Sequence, residues 1–145
     1  MHTDDSWLTV RDGHLCFDGA DIVAVADDAE TPFYLFSERR LRHNIAGLQE
    51  VFGGRYPRTE IFYASKACSN LWFLNVVRDS GINVEVNAGG ELDKALRAGF
   101  EPRQIVFNGV AKTRAEIAAA VRVGVRALLV DSLHDLGASP RWRRK

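Results

Sequence analysis

Gly81-Ile82-Asn83-Val84-Glu85-Val86-Asn87-Ala88-Gly89-Gly90-Glu91-Leu92-Asp93-Lys94-Ala95-Leu96-Arg97-Ala98-Gly99 contains one complete strand-turn-helix unit. Ile82, Val84 and Val86 alternate with Asn83, Glu85 and Asn87, the period-two pattern of a strand with one apolar and one polar face. A helix is predicted from Gly90 to Ala98, and Gly99 supplies a helix-ending glycine. The same unit recurs downstream. A strand from Gln104 to Phe107 leads to a helix from Arg114 to Val123 that stops at Gly124. A strand from Ala127 to Val130 then leads to a nascent helix from Ser132. The strand starts at Asn83, Ile105 and Ala127 are about 22 residues apart, each with a glycine shortly before it. Strands alternating with helices in this way imply a parallel sheet.

Upstream the rhythm is looser but present. Ile61 to Ala64 reads as a strand, followed by a helix from about Asn70 to Ser80, buried through Leu71, Leu74 and Val77 and ended by Gly81. Before it, Phe33-Tyr34-Leu35-Phe36 reads as a strand. Ser37-Glu38 opens a helix with apolar positions at Leu41, Ile45, Leu48 and Phe52, with Ser37 as its N-cap and Gly53-Gly54 as its stop. Five parallel strands fit either an open doubly wound sheet or part of a (β/α)8 barrel. A Rossmann sheet would carry G-x-G-x-x-G after its first strand, and none is present.

The ends differ from this middle. In residues 1–30, Leu8-Thr9-Val10 and His14 to Phe17 flank the turn Asp12-Gly13. A second turn at Asp18-Gly19 leads into Ile22 to Ala26, and the acidic run Asp27 to Glu30 closes what reads as a β arm. Residues 31–136 hold the βα repeat. After Leu136 the pattern stops: Gly137-Ala138-Ser139-Pro140 is expected to break the helix, and Arg141 to Lys145 reads as a basic, solvated tail on a truncated chain.

The whole sequence has 145 residues, 46% hydrophobic and 26% charged, with a formal net charge of zero. That is enough for one domain with a core, but a complete eight-unit barrel typically needs about 250 residues. The charge balance gives no reason to expect nucleic acid or an anionic membrane as a partner. No apolar run approaches the roughly 18 residues of a membrane span. The polar start lacks the pattern of a secretory signal, and Cys16 and Cys68 show neither disulfide-framework nor metal-ligand spacing, so a cytoplasmic setting and no metal are expected.

Chemistry is concentrated at the strand ends. Lys66 follows the Ile61–Ala64 strand, at the edge where parallel barrels carry their active sites. A lysine near apolar neighbours can have its amine pKa lowered, as Schiff-base chemistry requires, although a strand-end lysine is equally an ordinary exposed residue. Glu85 points to the polar side of its strand. It is expected either to pair with Lys66 or to meet water at a half-exposed sheet. Gly89-Gly90 at a helix start could cradle an anion or simply allow close packing. Asn108-Gly109, Lys112-Thr113 and Asp131-Ser132 fall at the same rim. His2, His14, His43 and His134 have no triad or metal-site spacing and read as surface residues.

Four stretches in order, Thr31-Pro32-Phe33-Tyr34-Leu35-Phe36, Tyr63-Ala64-Ser65-Lys66-Ala67, Ala88-Gly89-Gly90-Glu91-Leu92 and Val106 to Lys112, carry a resemblance. The sequence resembles the N-terminal part of the alanine-racemase-like barrel decarboxylases, the ornithine/diaminopimelate/arginine decarboxylase group, and most closely the diaminopimelate decarboxylases of lysine biosynthesis. The resemblance implies a (β/α)8 barrel that binds pyridoxal 5'-phosphate, here partial, and a small-molecule amino-acid substrate. It implies a homodimer for the full-length family. It implies that Lys66 forms the Schiff base, that Glu85 lies close to it, and that Asn87, Ala88, Gly89 and Glu91 line the matching loop. Three residues depart from the family pattern: Ala88 replaces a common serine, Cys68 an asparagine, and Ser65 an apolar residue. The ring-stacking histidine, the glycine-rich phosphate loop, the acid on the pyridine nitrogen and the interface cysteine and tyrosine have no counterpart in this sequence. The chain alone is therefore expected to be inactive. An amino-acid racemase, or a non-catalytic fragment or pyridoxal-phosphate-binding module, are the alternatives.

Overall fold

A computed structural model of the chain describes residues 7–138. Two compact units meet between Asn44 and Ile45.

In the first unit, β1 (Leu8–Arg11), β2 (His14–Phe17) and β3 (Ala20–Asp21) form an antiparallel meander. Both turns are two-residue Asp-Gly turns. Asp12 and Asp18 each have φ 52°, and Gly13 and Gly19 have φ 81° and 85°, the doubly left-handed geometry that matches strand twist. Ile22 to Ala26 does not continue as extended chain. It lies in helix α1 (Ile22–Asp28), because the Asp21 carboxylate accepts from Val23 N at 2.9 Å and from Ala24 N, satisfying amides that a helix start leaves open.

Phe33 to Phe36 was expected to be a strand, yet it joins no ladder. Its aromatic and branched residues favour extended backbone, but a strand exists only where a neighbour supplies hydrogen bonds. Helix α2 (Glu38–Arg55) begins where expected, with Ser37 Oγ accepting from Arg40 N at 3.0 Å. It runs through Gly53 and Gly54 rather than stopping at them. A helical glycine costs about 1 kcal/mol relative to alanine but keeps its amide, so it weakens a helix without ending it. Pro57, which restricts Tyr56 before it, is the effective stop.

The second unit is built on a four-stranded parallel sheet, β4 (Phe62–Ala64), β5 (Asn83–Val86), β6 (Ile105–Phe107) and β7 (Ala127–Leu128), in that order. Ala64 pairs with Glu85, Val84 with Ile105, and Phe107 with Leu128. The connections are α3 (Leu71–Asp79), α4 (Gly89–Arg97) with a short 3-10 turn (Pro102–Gln104), and α5 (Arg114–Val123), with α6 (Leu133–Ala138) after β7. This is an α/β fold of consecutive βα units, a partial barrel in the sense expected from the repeat, with four strands in its ladder.

The alternation read from the sequence is reproduced. Val84 and Val86 are wholly buried, and Asn83 and Glu85 are half-buried on the other face. Leu74, Val77, Ile105, Phe107 and Ile117 complete a core against the helices. Leu48 and Phe52, expected on the buried stripe of α2, stay about half-exposed, and only Ile45 in that helix is buried. Helix α6 includes Gly137 and Ala138, where a break was expected. Residues 139–145, which carry the basic run, and His2 lie outside the described residues, as does the His134 side chain. No described helix is long and apolar enough to cross a membrane.

Candidate functional site

Every chemically notable loop of the second unit leaves the carboxyl end of a strand: Ser65-Lys66 after β4, Asn87 to Gly89 after β5, Asn108 to Thr113 after β6, and Asp131 after β7. In a parallel sheet this is the edge where ligands bind, because loops from neighbouring strands converge there.

Lys66 sits in a tight turn just past β4, closed by Ala67 N donating to the Ala64 carbonyl at 3.1 Å. Its side chain is exposed and makes no hydrogen bond or ion pair with another described residue. The turn is fixed on both sides. Ser65, completely buried, donates from its amide to the Glu85 carbonyl at 2.9 Å and from Oγ to Glu91 Oε2 at 2.5 Å. Tyr63 donates its hydroxyl to the Cys68 carbonyl at 3.1 Å and packs on the Phe73 ring, with centroids 5.3 Å apart. Burial and the nearby Cys68 push the Tyr63 phenol up to about 12, so it stays a donor across the working pH range.

Glu85 does not pair with Lys66. Its Oε1 accepts from the Asn108 side-chain amide at 2.8 Å, across the β5–β6 boundary. Asn108 satisfies one oxygen of the carboxylate with a neutral amide donor rather than a cation.

The Ala88-Gly89-Gly90 turn is not an open anion cradle. Ala88 has no side-chain cap to offer α4. The amide of Gly89 instead donates to Glu116 Oε1 at 2.6 Å, a carboxylate from the next βα unit. A Cβ on Gly89 would lie 3.0 Å from Glu116 Cγ, so this glycine is a packing device that admits Glu116. The same carboxylate closes a capping box with Thr113, whose amide and Oγ1 each lie 2.8 Å from Oε2. Hydrogen bonds from the Thr113 and Gly89 amides and the Thr113 hydroxyl hold the Glu116 pKa below its usual value. Glu91 lies inside the loop rather than on its rim, accepting from Ser65 Oγ and from Asn87 N at 2.9 Å. The Asn87 side-chain nitrogen is buried without a hydrogen-bond partner.

Lys112, which the sequence places in the βα loop at the same rim, has a completely buried side chain. Its ammonium donates to the Gly109 carbonyl and lies 2.8 Å from Asp131 and 3.1 Å from Asp135. Burial alone would lower its pKa, but the two carboxylates outweigh burial and raise it. Gly109 is required here, since at φ 109° a Cβ would meet the Asn87 carbonyl oxygen at 2.5 Å. Asp135 and Glu116 were not singled out from sequence. The Thr113-x-x-Glu116 spacing is a recognisable capping signature, whereas nothing local marks Asp135. Among the described residues, no group of three or more His, Cys, Asp and Glu is arranged to hold a metal. His14 and His43 are exposed, His14 bonding to Asp21 at 2.8 Å.

Residues 40–138 match the family described as the pyridoxal binding domain of the pyridoxal-dependent decarboxylases. The chain belongs to that family. Among the relatives of this pyridoxal-dependent decarboxylase domain, the diaminopimelate decarboxylase of Methanothermobacter thermautotrophicus is 39% identical over 124 residues, covering 86% of this chain and 29% of that protein. That of Pseudomonas fluorescens is 34% identical over 128 residues, covering 88% of this chain and 30% of its own length. The crystal structure of the diaminopimelate decarboxylase from M. jannaschii superposes with a TM-score of 0.80 at 30% identity, covering 92% of this chain and 32% of that one. A second structure of that enzyme, in co-complex with L-lysine, gives a TM-score of 0.79. The chain thus spans about three-tenths of the length of the curated relatives it matches.

Two features of the site fit pyridoxal phosphate. One is an exposed lysine amine with no competing partner among the described residues, and the other is the unsatisfied Asn87 side-chain nitrogen just past the neighbouring strand β5. The start of α4 does not fit the phosphate, because Glu116 already holds the Gly89 amide.

Proposed function

We propose that this chain is the pyridoxal-binding portion of a pyridoxal-phosphate-dependent amino-acid decarboxylase of the diaminopimelate type, with Lys66 as the cofactor lysine. Residues 31–136 would supply its share of the barrel, and residues 1–30 an N-terminal β arm. The observation that carries this reading is the Lys66 turn: its backbone is hydrogen-bonded on both sides while its amine is left free at the carboxyl edge of the sheet.

When bound, pyridoxal phosphate supplies an electron-withdrawing ring that takes up the electron pair released as the substrate loses CO2. Lys66 Nζ would hold the cofactor and later return a proton. Glu85, held in place by the Asn108 side-chain amide, would lie close to the cofactor lysine. Asn87 would donate from its side chain, and Ala88, Gly89 and Glu91 would shape the loop facing the cofactor. The substrate would be an amino acid as a free small molecule, the setting cytoplasmic lysine biosynthesis, and the working enzyme a homodimer. With about three-tenths of the length of its relatives, this chain alone would not turn over substrate.

The test is to incubate the purified chain with pyridoxal phosphate, reduce it with borohydride, and map the modified lysine by peptide mass spectrometry. Labelling is expected at Lys66. Labelling spread over other lysines, or none, would sink the assignment.

A further inference from the structure

Ser65 stands immediately before Lys66, and the structure gives its hydroxyl a task. It is completely buried, and its hydroxyl lies 2.5 Å from Glu91 Oε2. That same oxygen accepts from the Asn87 amide at 2.9 Å. One carboxylate atom therefore joins the residue immediately before Lys66 to the first residue after β5. A hydroxyl-to-carboxylate bond removed from water is among the stronger hydrogen bonds a protein makes. An apolar side chain at position 65 would fill the space but leave Glu91 tied to Asn87 alone.

We propose that Ser65 and Glu91 form a positioning pair that locks the Lys66 turn to the β5–α4 loop, setting where the Lys66 amine is presented. Neither residue touches the reacting atoms; both act through the backbone on either side of the site. The pair adds a side-chain tie to the β5–α4 loop beside the backbone bonds that already hold the turn, Ser65 N to the Glu85 carbonyl and Ala67 N to the Ala64 carbonyl. The inference rests on Lys66 being the cofactor lysine, but the clamp can be measured without any cofactor.

The wild-type chain, Ser65→Ala and Glu91→Gln are compared by two readouts alongside thermal unfolding. The first is amide hydrogen exchange of Ala67 and Asn87 in the protein alone. The second is the ratio of pyridoxal-phosphate labelling at Lys66 to that at Lys94 under limiting reagent and borohydride reduction. Losing one hydrogen bond to a charged acceptor is worth about a tenfold change. Ser65→Ala is expected to speed exchange at both amides about tenfold, and to cut the labelling ratio roughly fivefold or more, while amides of β6 are unaffected. Glu91→Gln keeps an acceptor and is expected to fall between. Unchanged exchange at Ala67 and Asn87, or faster exchange spread evenly through the sheet, would overturn the proposal. If the wild-type chain is not labelled at Lys66, the cofactor reading fails, and the exchange data alone decide the clamp.

Discussion

Glu116 offers the most direct quantitative check on how this fold is held. Glu116→Ala removes an acceptor from two helix starts at once: the Gly89 amide of α4 at 2.6 Å, and the Thr113 amide and hydroxyl of α5 at 2.8 Å. A lost N-cap typically costs about 1 kcal/mol, within a range of roughly 0.5–2. Two helices affected together give about 2–3 kcal/mol, a large share of the total stability of an ordinary domain. The assay is urea unfolding followed by circular dichroism, with the shift in midpoint read at constant slope. Glu116→Gln keeps an acceptor but not the charge, and should lose about half as much. The pH dependence has a definite sign. Because the folded pKa of Glu116 lies below the ordinary glutamate value of 4.5, its contribution is fully present above that value and fades as pH falls through the folded one. The gap between wild type and Glu116→Gln should therefore narrow as the medium is acidified from about pH 5 downwards. A loss under about 0.5 kcal/mol for Glu116→Ala, or a gap unaltered by acid, would refute the shared-cap argument.

Two further outcomes follow from buried groups. Lys112→Met leaves Asp131 and Asp135 facing each other without their cation, and should lower the thermal midpoint by roughly 5–10 °C in a melting experiment. In an ultraviolet titration of the folded chain, one of the three tyrosines should ionise only near about 12, and Tyr63→Phe should remove that late step.

Much of this architecture was legible in the sequence because its signals are local. The Ile82–Asn87 alternation and the glycines after α3, α4 and α5 each depend on a few neighbouring residues. The helix and strand positions they predict are found in the second unit. Phe33 to Phe36 was misread because strand propensity cannot reveal whether a partner strand is present. Gly53-Gly54 was misread because a glycine pair lowers helix stability without forbidding the helix, and Pro57 was the firmer signal. At the site, the edge position of Lys66 could be read from the strand pattern, but its environment could not. Glu85 found Asn108 across 23 residues, Ser65 found Glu91 across 26, and Lys112 found Asp131 across 19. Pairings of that kind are decided by sheet register, which appears only when the strands are assembled.

The sharing of Glu116 between two helices also bears on how the chain is made. Gly89 leaves the ribosome 27 residues before the carboxylate that will hold its amide. At a synthesis rate of about 5–20 residues per second, the first turn of α4 waits roughly one to five seconds for its cap. During that interval the β5–α4 unit must rely on its buried apolar face alone. The arrival of Thr113 to Glu116 then secures the unit already made and starts the next one in the same event. Each new unit thus acts as the fastening of its predecessor, so that nascent chains paused between Gly89 and Glu116 should be more open to proteolysis than those paused after it.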